Sequence, residues 1–237
     1  MKLDLLVIAA HPDDAEICVG GTMLRALDAG WKVGIVDVTR GEMGSRGTSE
    51  ERDAETAAAN RHLGLTLRRN LGLPDGRVVA GIEAREALAR ILREHAPQVV
   101  LAQHTDDLHP DHATSGRLAR EAWYLSGLSK LAELDGGPAA ARPRRFYHFM
   151  GHVPFEPTVV VDIGPVWQRK VELVRCYRSQ LEPAHEGDRG QHFLFGADIL
   201  ARMETRARFF GERIGVRVGE PLLSLGPIPI SDPLRLL

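Results

Sequence analysis

Within a chain of 237 residues, two short clusters concentrate the side chains that bind metals and move protons. The first is His11-Pro12-Asp13-Asp14-Ala15-Glu16 and the second is His109-Pro110-Asp111-His112. Imidazole nitrogen and carboxylate oxygen are the ligands a borderline divalent cation takes. The proline after His11 and the one after His109 each fix φ beside a histidine, which holds a ligand in place or opens a helix after the loop. Taken singly, each cluster has an ordinary alternative. His-Pro-Asp-Asp is equally a turn with an aspartate cap ahead of a helix, and two histidines three apart on a helical turn recur by chance. The chemistry depends on whether the fold delivers both clusters to one place.

The elements that must do so are legible from periodicity. Leu3–Ala10 is a near-continuous apolar run of strand length, and Gly20–Gly30 follows with helix formers that stop at a glycine. Val33–Thr39 repeats the strand pattern and Ser49–Leu63 the helical one. A weaker strand near Leu65–Leu71, a helix with Leu88, Ile91 and Leu92 on one face, a buried strand at Gln98–Ala102 and a helix at Ala113–Leu125 complete four βα units. This alternation predicts an α/β fold, a Rossmann-like doubly wound, mainly parallel sheet with helices on both faces. In such sheets ligands sit beyond the carboxyl ends of the strands where the strand order reverses, a point the first and fourth strands commonly flank. Both clusters follow those two strands, so they are expected at one crevice.

Gly127–Pro143, with Gly136-Gly137-Pro138, reads as a surface connection and the one subdomain joint. Beyond it, strands at Arg145–Met150 and Thr158–Ile163 and amphipathic helices at Val166–Tyr177 and Phe195–Phe210 form a smaller C-terminal α/β extension. Residues 1–237 are read as a single domain.

Composition narrows the function. Thirty Lys+Arg against 32 Asp+Glu, a formal charge of −2, exclude the broad cationic field of a protein that coats nucleic acid or an anionic membrane. The partners are small molecules, with no nucleic acid and no membrane among them. Cys18 and Cys176 cannot build a disulfide framework, which favours a reducing, cytoplasmic setting. The apolar run ending at Ala10 gives way at once to His-Pro-Asp-Asp and is neither a signal peptide nor a membrane span. No Gly-x-Gly-x-x-Gly follows the first strand and no P-loop occurs, so nucleotide chemistry lacks its phosphate cradles. Ser45 lacks one glycine of a nucleophile elbow, with Met43 two positions before it and Gly47 two after. Cys18 has no Cys-x-x-Cys partner and reads as a small buried hydrophobe. His62, His95, His104, His148, His152, His185 and His192 form no spaced set, and surface or core roles are the default for each.

Ala10-His11-Pro12-Asp13-Asp14-Ala15-Glu16 followed by Gly20-Gly21-Thr22, paired with His109-Pro110-Asp111-His112, resembles the LmbE-like (PIG-L) zinc-dependent N-acetylglucosaminide deacetylases. The likeness continues through Thr39–Thr48, Pro74-Asp75 and Tyr177-Arg178-Ser179-Gln180, segments similar to the branch that deacetylates glucosaminyl-malate in bacillithiol biosynthesis. The chain departs from that branch at Leu108, where the branch has an arginine. The resemblance implies zinc held by His11, Asp14 and His112, with Fe2+ or another divalent metal fitting the same set. It makes Asp13 the general base and His109 a charge-stabilising residue. Three protein ligands leave a coordination position open for water, whose pKa a catalytic zinc lowers to roughly 7. Asp111 is either a partner that orients an imidazole or an acid at a helix start. Arg52 and Arg142 match arginines around the family's active site, Arg46 is a substrate-binding candidate in the Gly-rich loop Arg40–Thr48 that is placed to close over a sugar, and Arg52, near the start of its helix, is expected to meet an acidic aglycone. The family further implies an N-acetylated amino sugar as substrate and a homo-oligomer, up to a hexamer.

Three other readings compete. A neutral N-acetylglucosamine saccharide fits the same chemistry. A non-heme iron oxygenase also uses two histidines and a carboxylate, but the alternation of strand and helix argues against its usual double-sheet architecture. A sugar-binding protein without turnover would not need Asp13 beside the metal ligands.

Overall fold

The computed structural model describes residues 1–44, 46–181 and 198–228. Leu5–Ala9 (β1) and Val33–Asp37 (β2) are buried at every position, as strands covered on both faces must be. With Leu67–Asn70 (β3), Val99–Gln103 (β4) and Arg145–Phe149 (β5) they form a parallel sheet in the order β3-β2-β1-β4-β5. The reversal therefore falls between β1 and β4, paired from Leu5↔Val99 to Ile8↔Ala102. Alternate side chains of β1 enter different cores: Leu5, Val7 and Ala9 join one, Leu6 and Ile8 the other.

The first core is closed by α1 (Asp14–Asp28), α6 (Trp167–Val174) and α8 (Ile199–Glu212), the second by α3 (Ile82–His95) and α4 (Pro110–Ser126). The helix α2 (Ser49–Leu63) opens on a capping box between Thr48 and Glu51 and ends on Gly64 at φ 64°. Pro110 occupies the first turn of α4 and His109 caps it, so the second cluster starts a helix directly. The helix α8 is capped by Asp198, which accepts from the N–H groups of Leu200 and Ala201; the expected start at Phe195 lies outside the described residues. The expected helix Val166–Tyr177 is shorter: a 3-10 turn at Gly164–Val166 precedes α6, and a separate turn of helix, α7 (Arg178–Leu181), follows.

The C-terminal part extends this same sheet. Segment 127–143 carries α5 (Ser129–Leu134) and leads into β5, which pairs with β4. The unforeseen strand β7 (Gly219–Ser224) runs antiparallel between β5 and β6 (Val159–Asp162). Pro221 within it is what a sequence reading takes as evidence against a strand. Its Glu220 has a specific task. The helix α1 kinks at Val19 (φ −135°, ψ 20°), and Glu220 accepts from the N–H groups of Gly21 and Thr22 that the kink frees, while Lys170 donates to it at 2.6 Å. Gly21 is required there, because a Cβ would stand 2.6 Å from Ile163 Cγ2. This latch across α1, α6 and β7 fixes the helix whose first turn carries Asp14.

Candidate active site

The two clusters meet at the carboxyl ends of β1 and β4. Gln103, the last residue of β4, joins the loops: its Oε1 accepts from Ala10 N at 2.7 Å and its Nε2 donates to Asp14 Oδ2 at 2.9 Å. Asp13 turns the chain into α1 with φ 114°, a conformation that costs a non-glycine residue energy and persists where surrounding structure imposes it. Asp13 and Asp14 are both buried, and both line a cavity of about 270 Å³.

His11 Nδ1 lies 3.2 Å and His112 Nε2 3.4 Å from Asp14 Oδ2, and the three donor atoms fall within 4.8 Å of one another. The remaining nitrogen of each imidazole faces a carboxylate: His11 Nε2 is 3.0 Å from Asp75 Oδ1, and His112 Nδ1 is 3.3 Å from Asp107 Oδ1. That His112 nitrogen is buried without an aligned hydrogen bond. Two imidazoles and a carboxylate converging from one side, each imidazole backed by a carboxylate, fit a divalent cation. Charge agrees. Burial alone would lower the pKa of His11, but Asp111, Asp14 and Asp75 outweigh it and hold the imidazole well above its usual value. Burial alone would raise Asp14, but His112 and His11 keep it well below the carboxylate range. Burial alone would raise Asp107 too, but the nearby imidazoles of His112 and His152 and the backbone N–H of His109 hold it low.

Two further titratable side chains, Asp13 and His109, line the cavity beside this set. Burial, opposed by the Arg52 guanidinium, pushes the Asp13 carboxyl up to about 7. His109 Nδ1 accepts the backbone N–H of Asp111 at 3.2 Å. A backbone N–H only donates, so the neutral ring carries its proton on Nε2 and presents a donor. The rings of His109, His112 and His152 form a stack with centroid spacings of 4.7 and 4.9 Å.

The residues anticipated from the sequence divide three ways. His11, Asp13, Asp14, His109 and His112 share the cavity. Asp111 lies 3.7 Å from His11 Nε2, farther than Asp75, and its oxygens accept from the N–H groups of Gly76 and Val78. Arg46 is at the cavity wall, where its Nη1 donates to Gln180 O at 2.9 Å and Gln180 Nε2 donates back to Arg46 O at 3.0 Å. Arg52 also reaches the wall, but its Nη1 donates to Pro12 O at 2.7 Å and faces Asp13 rather than open space. Arg142 is a correction: its guanidinium packs 4.6 Å above the Tyr124 ring and donates to Tyr124 O, away from the cavity. Aromatic stacking at the end of α4 won over the site. Leu108 is 58% exposed.

Sequence reasoning gave no site role to Asp75, Gln103, Asp107 or His152. Asp107 and His152 had one usable sign, placement just beyond the carboxyl ends of β4 and β5, on the edge where ligands bind.

A mainly parallel sheet with this metal-ready triad at its reversal point, and a buried acid beside it, is suited to metal-assisted hydrolysis. Residues 6–123 match the family model for PIG-L, the GlcNAc-PI de-N-acetylases, and the chain belongs to this LmbE-like family. A conserved protein of Thermus thermophilus superposes with a TM-score of 0.84 at 39% identity, covering 97% of this chain and 98% of that one. The N,N'-diacetylchitobiose deacetylase of Pyrococcus horikoshii superposes with a TM-score of 0.80 at 28% identity, covering 96% and 87%. A 1D-myo-inositol 2-acetamido-2-deoxy-α-D-glucopyranoside deacetylase of Saccharopolyspora erythraea is 28% identical, covering 75% of this chain and 78% of its own. No helix among the described residues is long and apolar enough to cross a membrane.

Proposed function

We propose that this deacetylase uses zinc, held by His11 Nδ1, Asp14 and His112 Nε2, to hydrolyse the acetamide of an N-acetylglucosaminide with an acidic aglycone, N-acetylglucosaminyl-malate. The observation that carries the reaction is the adjacency of Asp13 to the triad inside one cavity. A divalent cation there supplies Lewis acidity toward the amide carbonyl and lowers the pKa of water. Asp13 takes the proton of the attacking water and later returns one to the departing amine. His109 Nε2–H faces the developing oxyanion. Acetate and a free amine leave.

The acidic aglycone is supported by Arg206, which lines the same cavity from α8. It is half-buried, its Nη1 donates to Met150 O at 3.0 Å, and no carboxylate among the described residues pairs with it. A carboxylate on the substrate would supply the missing partner. A neutral saccharide is the second reading, favoured by the exposed, apolar Leu108 where the acidic-aglycone branch has an arginine, and by relatives named for diacetylchitobiose and an inositol glycoside. The family and the parallel sheet leave the oxygenase and the turnover-free sugar binder without support. Cys18 and Cys176 are both free thiols, consistent with the cytoplasm. The reading includes a homo-oligomer, up to a hexamer, which light scattering on purified protein checks.

Acetate release from N-acetylglucosaminyl-malate, diacetylchitobiose and N-acetylglucosaminyl-inositol tests the proposal. The malate glycoside should be turned over with the highest kcat/KM. Equal or better turnover of diacetylchitobiose makes the neutral reading correct, and no acetate from any of them refutes both.

A further inference from the structure

His152 was not expected at the site, yet it is one of the most firmly oriented side chains there. Its Nδ1 lies 2.7 Å from Asp107 Oδ1 and its backbone N–H donates to Asp107 Oδ2 at 2.7 Å. Asp107 also accepts from His109 N at 3.0 Å, so the carboxylate ties His152 to the loop that delivers the second cluster. A Cβ on the preceding Gly151 would run into Asp107 Oδ2, so only glycine permits this approach. The ring lies parallel to that of His112, with 4.9 Å between centroids and 10° between planes, and it lines the cavity.

A carboxylate can only accept, so the shared proton sits on Nδ1 and an uncharged His152 presents a lone pair at Nε2. No side chain or carbonyl among the described residues meets that nitrogen. The ring stack thus offers the cavity opposite groups on the two sides of His112: a donor from His109 and an acceptor from His152. Within the deacetylase reading, on which this inference rests, the donor is used by the amide oxygen. The acceptor lines the same cavity on the far side of the ligand imidazole from the donor, so a group beside the acetamide on the sugar ring is the one it would meet. In a glycoside of a 2-acetamido sugar, one of the two neighbouring oxygens is the glycosidic one and has no hydrogen. Only the 3-hydroxyl can donate.

We infer that His152 is a specificity-determining residue whose Nε2 accepts a hydrogen bond from the 3-hydroxyl of the amino sugar, with Asp107 as the group that fixes its orientation.

The test uses the zinc-loaded enzyme with methyl N-acetylglucosaminide and its 3-deoxy analogue. His152→Asn places an amide nitrogen where Nδ1 was, keeps the Asp107 bond and lacks Nε2. It should lower kcat/KM for the parent by about 2- to 13-fold, chiefly through KM, the effect of losing one neutral hydrogen bond. Zinc content should stay at the wild-type level, and the 3-deoxy analogue should be turned over equally by wild type and variant. His152→Gln, which carries an acceptor near the Nε2 position, should recover part of the loss. Calorimetry of methyl glucosaminide, the product, supplies a readout without turnover: wild type should bind it more tightly than its 3-deoxy analogue, and His152→Asn should not distinguish them. An equal kcat loss on both substrates would assign His152 to the chemical step and overturn the proposal, as would loss of zinc. If wild type releases no acetate from either glycoside while calorimetry still shows 3-hydroxyl discrimination through His152, the deacetylase reading has failed and the contact stands. Absent discrimination in an active enzyme overturns the contact alone.

Discussion

Arg52 Nη1 donates to the carbonyl of Pro12 at 2.7 Å and lies 3.6 Å from Asp13 Oδ2, so one buried guanidinium holds both the backbone and the acid that precede Asp14. The sequence placed Arg52 toward an anionic aglycone. In the fold it serves the proposed base, whose positive φ needs such external support.

Arg52→Lys should therefore lower kcat by roughly 10- to 100-fold on acidic and neutral glucosaminides alike, with zinc retained, because misplacing a reacting group is felt in the chemical step. Steady-state kinetics on both substrates checks this. A loss confined to the malate glycoside would return Arg52 to the aglycone.

His11→Ala, Asp14→Ala and His112→Ala should each lose metal and activity together. Asp13→Asn should keep metal and lose about 10²–10⁴-fold in kcat, the range of a positioned acid-base group. Metal content by atomic spectroscopy beside acetate release separates the two classes. Stoichiometric zinc in all three alanine variants would sink the ligand assignment.

Asp75→Asn and Asp107→Asn leave the three proposed ligands in place but change what stands behind His11 and His112. Such outer partners are worth about 10- to 100-fold in metal affinity. Competition with a chromogenic chelator measures it, and unchanged affinity in both variants would show that Asp14 alone orients the imidazoles.

Gly21→Ala puts a methyl group 2.6 Å from Ile163 Cγ2 and 2.9 Å from Glu220 Oε1. Overpacking of a core of this kind costs about 1–3 kcal/mol. Thermal unfolding should show a lower Tm. An unchanged Tm would mean that β7 and the kink of α1 give way freely.

His148 on β5 is buried with Nδ1 2.7 Å from Gln103 O, and burial pushes its pKa down to about 4 from 6.5. The folded state favours the uncharged ring, so the associated stability is present above pH 6.5 and is lost as pH falls from there toward 4. Across that window the loss is on the order of 3 kcal/mol at 1.36 kcal/mol per pKa unit. Denaturant unfolding at several pH values should show His148→Gln falling less steeply than wild type over this interval. Parallel curves would locate the acid sensitivity elsewhere.

The sequence by itself determined the parallel strands, the helices between them and the arrival of His11, Asp13, Asp14, His109 and His112 at one edge. These are local properties: apolar runs of strand length, a proline after His11 and another after His109, and loops that leave the carboxyl ends of strands which must be neighbours at a reversal. Only the tertiary structure decided that Asp75 and Asp107 stand behind His11 and His112, that His152 enters the stack and that Glu220 holds the kink of α1. Each of those depends on a distance between residues far apart in the chain, such as the 199 positions between Gly21 and Glu220, and no periodicity encodes such a distance. The arginines make the same point from the other side. Arg46, Arg52 and Arg142 look alike as sequence, yet a carbonyl, a buried acid and an aromatic ring took them to three different tasks. A long cationic side chain settles where its nearest acceptor or π-face lies, and the fold alone supplies those.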